Sequence, residues 1–352
     1  MAADRLYLDH AATTPMLAEA KAAMIEGMER WANPSSPHAD GRAARAALEE
    51  ARTRIAAALD WNGQVIFTSG ASEAIAIGLT RARAERIITS AIEHDSVLRV
   101  TPQADRFRVN ADGLVDLDDL LSTPAGTGAS KPLVAIQHVN NETGVIQPLD
   151  RIDRNDWLLL ADCAQSAGKL PLPDADMIAI SAHKFGGAPG VGALLIRDLA
   201  LVDATGGQEQ GYRPGTENLP GILSMAAALE ARRDWLADAA RLRARLDKGI
   251  EAAGGEVIAG RVPRIASIAS YRMPGLSARA QLIQFDLAGI SVSAGSACSS
   301  GSLKTSHVLR AMHYDESAAG EVVRVSFGPT TGKAAIDRFL AQWTVMAERV
   351  RT

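Results

Sequence analysis

The chain has 352 residues, of which 47% are hydrophobic, so it can bury a large core, and its length predicts about two domains. Its 37 basic and 41 acidic residues give a formal net charge of -4 and form no basic block, which argues against direct nucleic acid binding. No uncharged apolar run reaches the roughly 18 residues needed to span a bilayer, and the N-terminus has no apolar signal region, so neither membrane insertion nor secretion is expected. The two cysteines, Cys163 and Cys298, predict no disulfide framework and fit a reducing cytoplasm.

Short apolar segments alternate with longer amphipathic ones through the first two-thirds of the chain. The apolar segments end in glycine, proline or polar turns, whereas the amphipathic ones are rich in alanine. Near-continuous apolarity favours strands buried on both faces of a mostly parallel sheet flanked by helices, an α/β fold. In chain order we predict helix Asp40–Leu59, strand Gln64–Thr68, helix Ser72–Ala84, and strands Arg86–Ser90, Leu133–Val139, Trp157–Ala161, Met177–Ser181 and Val191–Ile196.

The last third of the chain has a different pattern. From Glu217 to about Gly254 the sequence predicts one long helix, closed by a glycine pair, which we interpret as the bridge into a smaller α/β domain. We therefore predict a large domain over residues 15–250 and a small domain over residues 1–14 and 251–352. The predicted elements of the small domain are strands Ile265–Tyr271, Ile290–Ser293 and Val322–Phe327, and helices Ser277–Leu287 and Lys333–Val350.

The first candidate site residue is Lys184, in the segment SAHKFGG at the end of the predicted strand Met177–Ser181. Ligands of a parallel sheet lie at the carboxyl ends of its strands, so Lys184 is expected to project into a crevice. Partial dehydration there lowers the pKa of a lysine amine and frees it to form a Schiff base. Ser181 and His183 add hydrogen-bonding groups. A solvated loop lysine is the alternative, but the strand, the histidine and the glycines together favour a site.

Asp162 and Gln165 lie in the segment DCAQSAGK, after another apolar strand. A carboxylate at that position is costly to bury without a cationic partner. Pyridoxal 5'-phosphate (PLP) supplies one, because an aspartate that faces its pyridine nitrogen keeps that nitrogen protonated. Gln165 is placed to hydrogen-bond the ring hydroxyl. Taken alone, the position of Asp162 favours a cap of a following helix over a ligand contact.

Polar residues also follow other predicted strands. The segment FTSGASEA leads into a helix whose first N–H groups, with the hydroxyl of Ser72, form a potential phosphate site. His94 could stack on a flat ring, although a capping or buried histidine fits the local pattern equally well. Asn141, in the segment NNETGVIQP, is available to a ring oxygen.

The cysteines differ in their surroundings. Cys298 lies among small polar residues in SVSAGSACSSGS, which predicts an exposed thiol on a loop and suggests a nucleophile. A chance surface cysteine is the alternative. Cys163 continues an apolar strand and is predicted to be a small core residue.

Together these segments resemble the cysteine desulfurases of the NifS/IscS type, which are PLP enzymes of fold type I related to class V aminotransferases. The resemblance runs in order from Tyr7 to Phe327. It is carried by YLDHAATTP, NPSSPHADGRAARAAL, FTSGASEA, EHDSVL, NNETGVIQP, DCAQSAGK, SAHKFGG, RPGTENLP, SAGSACSSG and SHVLRAM.

The resemblance implies a role for each candidate. Lys184 would hold PLP as a Schiff base and take the α-proton, and Cys298 would receive the sulfur of L-cysteine as a persulfide, with L-alanine as the other product. Arg324 and Asn33 would bind the substrate. The remaining PLP contacts would come from Asp162, Gln165, Asn141, His94, Ala71, Ser72, Ser181, His183 and, from the second subunit of a homodimer, Thr216.

The resemblance further implies a cytoplasmic homodimer that passes sulfur to a protein acceptor or an iron–sulfur scaffold, and it implies no metal. Gln210 stands where the family has an arginine, and Ser72 where threonine is common. The alternatives are a class V aminotransferase or a selenocysteine lyase on the same scaffold, and a non-catalytic relative. The cysteine loop argues against a transaminase, and the retention of Lys184, Asp162 and Cys298 argues against a pseudoenzyme.

Overall fold

The computed structural model describes residues 5–122, 131–153, 156–295 and 305–351. Cys298 lies outside the described residues. The strands are β1 (Leu6–Tyr7), β2 (Gln64–Thr68), β3 (Ile87–Ser90), β4 (Asp105–Phe107), β5 (Leu133–Gln137), β6 (Leu158–Asp162), β7 (Met177–Ser181), β8 (Gly192–Ile196), β9 (Glu256–Val257), β10 (Ile268–Arg272), β11 (Ile290–Ser291) and β12 (Val322–Ser326). The helices are α1 (Ala18–Glu29), α2 (Ala39–Ala58), α3 (Ala71–Thr80), α4 (Asp95–Val100), α5 (Leu117–Ser122), α6 (Leu219–Glu230), α7 (Trp235–Ala252), α8 (Ala278–Leu287), α9 (His307–Ala311), α10 (Glu316–Ala319) and α11 (Lys333–Arg351).

A seven-stranded sheet in the order β2-β8-β7-β6-β5-β3-β4 organises the larger part of the described chain. Strands β7, β6, β5, β3 and β4 run parallel, and β8 is antiparallel to both of its neighbours. Every residue of β5, β6, β7 and β8 is buried. The near-continuous apolar segments are therefore strands covered on both faces, as predicted.

Alternate side chains of each strand enter different apolar clusters on the two faces of this sheet. In β7, Ile178 and Ile180 join the cluster that contains the buried faces of α2 and α6, whereas Met177 and Ala179 pack with α3. Helices α1 and α2 pack against α6, and the three helices form the layer on the Ile178 and Ile180 face of the sheet. The arrangement is a helix–sheet–helix sandwich.

A separate apolar cluster surrounds the antiparallel sheet β12-β10-β9. It takes residues from α7, α8 and α11, and includes stacked rings of Phe285 and Phe339 with centroids 4.7 Å apart. Strand β1 pairs with β11, which brings Leu6 against this core. The buried residues Ala239, Leu246 and Ile250 of α7 pack here rather than against the large sheet. The boundary at residue 250 stays a prediction.

The predicted single helix from Glu217 to Gly254 is wrong, because α6 ends at Glu230 and α7 begins at Trp235. Ala231 is extended, and the Arg233 guanidinium donates to the carbonyls of Ala228, Leu229 and Ala231 at 3.0–3.2 Å. No glycine or proline marks the break. It arises because α6 packs into the apolar cluster of the large sheet (the first core), whereas α7 packs into the cluster around β12-β10-β9 (the second core). Tertiary packing therefore overrides a high helical propensity. None of the described helices combines the length and apolarity needed to cross a bilayer.

Candidate active site

The carboxyl ends of β2, β3, β5, β6 and β7 border a cavity of about 490 Å³. This is the edge at which an α/β sheet binds its ligands. Polar side chains that are far apart in the sequence meet here because each of several neighbouring strands ends in one. The predicted site residues that line the cavity are Ala71, Ser72, His94, Asn141, Asp162, Gln165, Ser181, His183, Lys184 and Arg324.

Lys184 ends a short 3-10 turn directly after β7. Its Nζ donates to the carbonyl oxygens of Ala11 and Ala12 at 2.8 and 2.9 Å. Thr14 Oγ1 in turn donates to the Lys184 carbonyl at 3.2 Å. The segment YLDHAATTP thus lies against the lysine and restrains it. The sequence analysis gave Ala11 and Ala12 no role, because they act through backbone carbonyls that no side-chain pattern reveals.

Asp162 is the last residue of β6 and is buried. Its Oδ1 accepts the Ala164 N–H at 2.9 Å, which is a turn contact and not a cap of a helix in the described chain. Burial raises the pKa of this carboxyl, while the Ala164 N–H and the positive charges of His94 and Lys184 act in the opposite direction. A cation in the cavity would stabilise the ionised form.

Two features of the cavity have unused hydrogen-bonding capacity. Gln165 Nε2 donates to the Ala11 carbonyl at 2.9 Å, but its buried Oε1 has no hydrogen-bond partner. Helix α3 begins after Gly70, which has a φ of 154° and provides no side-chain cap. The first N–H groups of α3 therefore remain available at the cavity to an anionic group.

His94 caps a helix and also lines the cavity, and its stacking on a flat ring stays a prediction. Its Nδ1 accepts the Ser96 N–H at 3.1 Å and contacts Ser96 Oγ at 2.8 Å, which caps α4. His183, directly before Lys184, contacts Thr13 Oγ1 through Nδ1 at 3.2 Å, and burial lowers its pKa to about 4.

Arg324 enters the cavity from β12, in the second core. It is buried, and its Nη2 donates to Asp9 Oδ1 at 2.8 Å while its Nη1 donates to the Asn141 carbonyl at 3.0 Å. The buried Nε has no hydrogen-bond partner. One donor of a rigid, fully charged fork is therefore free to bind an anion.

Not every predicted residue is part of this cavity. Asn33 and Thr216 are exposed in the described chain and do not line it, so their roles stay predictions. Cys298 lies outside the described residues. Cys163 is fully buried in the first core, and burial raises the pKa of its thiol, which confirms it as a core residue.

Glu93, which the sequence analysis missed, lies buried beside the cavity. Its carboxyl accepts Ser90 Oγ–H at 2.6 Å and the Gln137 N–H at 2.7 Å, and its carbonyl accepts from His307 Nε2 at 2.9 Å. Burial raises the pKa of Glu93 to about 8, a shift to which the Asp162 carboxylate adds and which the Ser90 and Gln137 hydrogen bonds oppose. No local sequence signal distinguishes it from a solvated glutamate.

Glu93→Gln is expected to remove a pH dependence of folding stability. The folded chain retains the Glu93 proton between the ordinary pKa of 4.5 and about 8, whereas the unfolded chain releases it. This stabilisation is complete below the unfolded pKa and is lost as the pH rises through the folded one. Relative to the wild type, the glutamine variant should therefore gain roughly 3 to 4 kcal/mol in free energy of unfolding between about pH 5 and pH 8, measured by urea titration. A difference that does not change with pH would contradict the buried neutral carboxyl.

Comparison with known proteins agrees with this geometry. Residues 6–339 match the family described as Aminotransferase class-V. The chain belongs to that family. A cysteine desulfurase of Cereibacter sphaeroides is 34% identical over 99% of this chain and 97% of its own length, and the cysteine desulfurase IscS of Dictyoglomus turgidum is 34% identical over 99% and 95%. The chain thus belongs among the cysteine desulfurases of the class, which confirms the predicted family.

Solved structures show the same relationship. A NifS-like protein from Rickettsia africae superposes with a TM-score of 0.88 at 31% identity, covering 98% of this chain and 99% of that one. SspA, solved in complex with cysteine, superposes with a TM-score of 0.78 at 28% identity, covering 93% and 99%. The predicted fold class, fold type I with a mostly parallel sheet, is confirmed.

Proposed function

We propose that the chain is a PLP-dependent cysteine desulfurase that converts L-cysteine to L-alanine and holds the sulfur as a persulfide on Cys298. The observation that carries this proposal is one cavity lined by a lysine, a buried aspartate and an uncapped helix N-terminus, in a chain with full-length likeness to cysteine desulfurases. Because these relatives are named cysteine desulfurases, an aminotransferase or a selenocysteine lyase is not favoured.

The residues of the cavity fit PLP. Asp162 would face the pyridine nitrogen, Gln165 and Asn141 the ring hydroxyl, and His94 a face of the ring. The orphaned Gln165 Oε1 and the buried Asp162 carboxyl, whose pKa burial raises, are groups that such a ligand satisfies. The phosphate would bind at the start of α3 with Ala71, Ser72, Ser181 and His183. Bound PLP draws electrons from the substrate and so weakens its Cα–H bond.

Substrate binding and proton transfer are tasks of the chain itself. Arg324, with its free Nε, would bind the carboxylate of L-cysteine, joined by Asn33. The Lys184 amine would accept the α-proton of the substrate and return it during product formation. The Ala11 and Ala12 carbonyls hold its Nζ at the cavity.

The sulfur step balances without an added oxidant. The Cys298 thiolate attacks the sulfur of L-cysteine, so that an S–S bond forms as the substrate Cβ–S bond breaks. The Cβ then takes a proton, and the products are L-alanine and a Cys298 persulfide. An acceptor thiol or an iron–sulfur scaffold would remove the terminal sulfur.

A homodimer would complete the site. The exposed side chains of Ile25, Met28 and Trp31 form an apolar patch on and just after α1, and Trp31 is 79% exposed. Such a patch supports an interface between copies. The partner subunit would then contribute Thr216 to the phosphate. The cytoplasmic location and the identity of the sulfur acceptor stay predictions.

The direct test is alanine production from L-cysteine by the PLP-loaded protein, with a thiol reductant present to clear the persulfide. Equal amounts of alanine and sulfide would support the proposal. A cofactor-loaded protein that makes neither from L-cysteine, even with a thiol acceptor present, would contradict it.

Arg324→Lys is expected to raise the KM for L-cysteine by about 10- to 100-fold with a smaller change in kcat, because lysine keeps the charge but loses the planar fork. The visible absorbance of the bound cofactor should not change. Arg310→Lys, at an exposed position, is the matched control. An unchanged KM would show that Arg324 bonds only to Asp9 and the Asn141 carbonyl and does not bind the substrate.

A further inference from the structure

Lys184 lines a second cavity, of about 230 Å³, as well as the first. Lys169 and Arg233 also line it, so cationic side chains from three parts of the chain converge on a small space. Apolar side chains of Leu17, Phe185, Trp235 and Pro329 form much of the remaining wall. Low polarity strengthens electrostatic interactions within such a space.

The charges of Lys169 and Arg233 are not balanced by carboxylates of the described part of the chain. Neither Lys169 nor Arg233 forms an ion pair with a carboxylate of the described residues, whereas the nearby Arg232 pairs with Asp234 at 2.6 Å. Burial and the charges of Lys184 and Arg233 lower the pKa of Lys169 to about 7. Glu19 lines the cavity but is exposed. An unbalanced positive charge therefore remains at the cavity.

The local backbone holds Arg233 in this position. Gly168, directly before Lys169, has a φ of 67°, and a Cβ built there would lie 2.4 Å from Arg233 Nη2. Arg233 itself lies in the break between α6 and α7, where its guanidinium binds carbonyl oxygens instead of a carboxylate. The carbonyls satisfy its donors without neutralising its charge.

We propose that this cavity, lined by Lys169, Arg233 and Lys184, is a binding site for a small anion, either an oxyanion such as sulfate or a compact carboxylate. The cavity is several times the roughly 30 Å³ that one water occupies in the liquid, so it has room for an anion of this size. An anion there neutralises cations that otherwise repel each other. Since Lys184 borders both cavities, the anion site lies directly beside the lysine that the proposed function assigns to PLP.

The test uses the cofactor-free protein, so it does not depend on the proposed function. Sulfate and acetate are titrated against chloride at constant ionic strength, with binding followed by isothermal calorimetry and by thermal unfolding. Lys169→Gln is compared with Lys248→Gln, which removes the same charge at an exposed position. We expect Lys169→Gln to weaken binding at least 10-fold and Lys248→Gln to leave it unchanged. Because sulfate stabilises proteins in general, only the difference between the variants counts.

The two ligands separate the possible sources, since preference for sulfate would indicate an oxyanion and preference for acetate a carboxylate. Equal affinity in both variants, or no saturable binding to the wild type, would overturn the proposal.

Should Lys169→Gln fail to fold, a pH titration of sulfate binding to the wild type tests the same site. Its sulfate affinity should fall as the pH rises above about 7 and Lys169 loses its proton, whereas Arg233 stays charged. His10 and His183, which also face Lys169, have pKa values of about 4 and stay neutral over that range. Affinity that does not change from about pH 6 to pH 9 would refute a site built on Lys169.

Discussion

Lys184→Ala is expected to abolish both the visible absorbance of the lysine-bound cofactor and the formation of alanine from L-cysteine. The substitution removes the covalent attachment and the proposed base together, so the rate should fall by at least about 10³-fold. Absorbance spectra of the reconstituted protein and an amino-acid assay measure the two effects. Borohydride reduction followed by peptide mass analysis should locate the cofactor on Lys184 in the wild type.

Lys248→Ala is the matched control, because Lys248 is exposed and distant in sequence from the cavity residues. It should keep both the absorbance and the turnover. If Lys184→Ala retained the lysine-bound absorbance, another lysine would hold the cofactor, and Lys169, the other lysine that lines the second cavity, would be the first to examine.

Cys298→Ala is expected to reduce alanine formation to background while leaving the cofactor absorbance intact. The reason is that the thiolate is required only when the substrate Cβ–S bond breaks, after the cofactor has been bound. Intact mass measurement of the wild type after incubation with L-cysteine should show one added sulfur, and that addition should be absent from the variant.

The chain carries its own control for this experiment, since its other cysteine is Cys163. Cys163 is fully buried, so Cys163→Ala should cost about 1 kcal/mol of stability through lost packing but keep the persulfide. A persulfide that survives Cys298→Ala and disappears in Cys163→Ala would reverse the assignment. Unchanged turnover in Cys298→Ala would remove the persulfide from the proposal altogether.

Much of the cavity could be predicted because parallel strands translate sequence position into spatial position. Asp162 ends β6 and Lys184 follows β7, and since neighbouring parallel strands end at the same edge, their side chains meet there. His94 and Asn141 follow from the same rule. Arg324 did not follow from it, because it lies on a strand of the second core, and only its resemblance to a known motif indicated a place in the site.

Glu93 and the N-terminal carbonyls show where such reasoning ends. The carboxyl of Glu93 is directed into the protein by Ser90 and by the Gln137 backbone, and nothing in EHDSVL distinguishes it from a solvated glutamate. Likewise Ala11 and Ala12 contact Lys184 through oxygen atoms that every residue possesses. Their importance depends on which segment crosses the cavity, and that is a property of the packed chain.

The sequence by itself determined the buried parallel sheet, the residues at its carboxyl edge and the family to which the chain belongs. These depend on apolar periodicity and on short motifs, both of which act locally. Only the tertiary structure decided that the helix predicted across residues 217–254 divides in two and that Lys169, Arg233 and Lys184 share a cavity. The physical reason is that each core fixes the direction of the helix it buries. The break between α6 and α7, which places Arg233 beside Lys169 and Lys184, therefore results from packing that no local sequence pattern encodes.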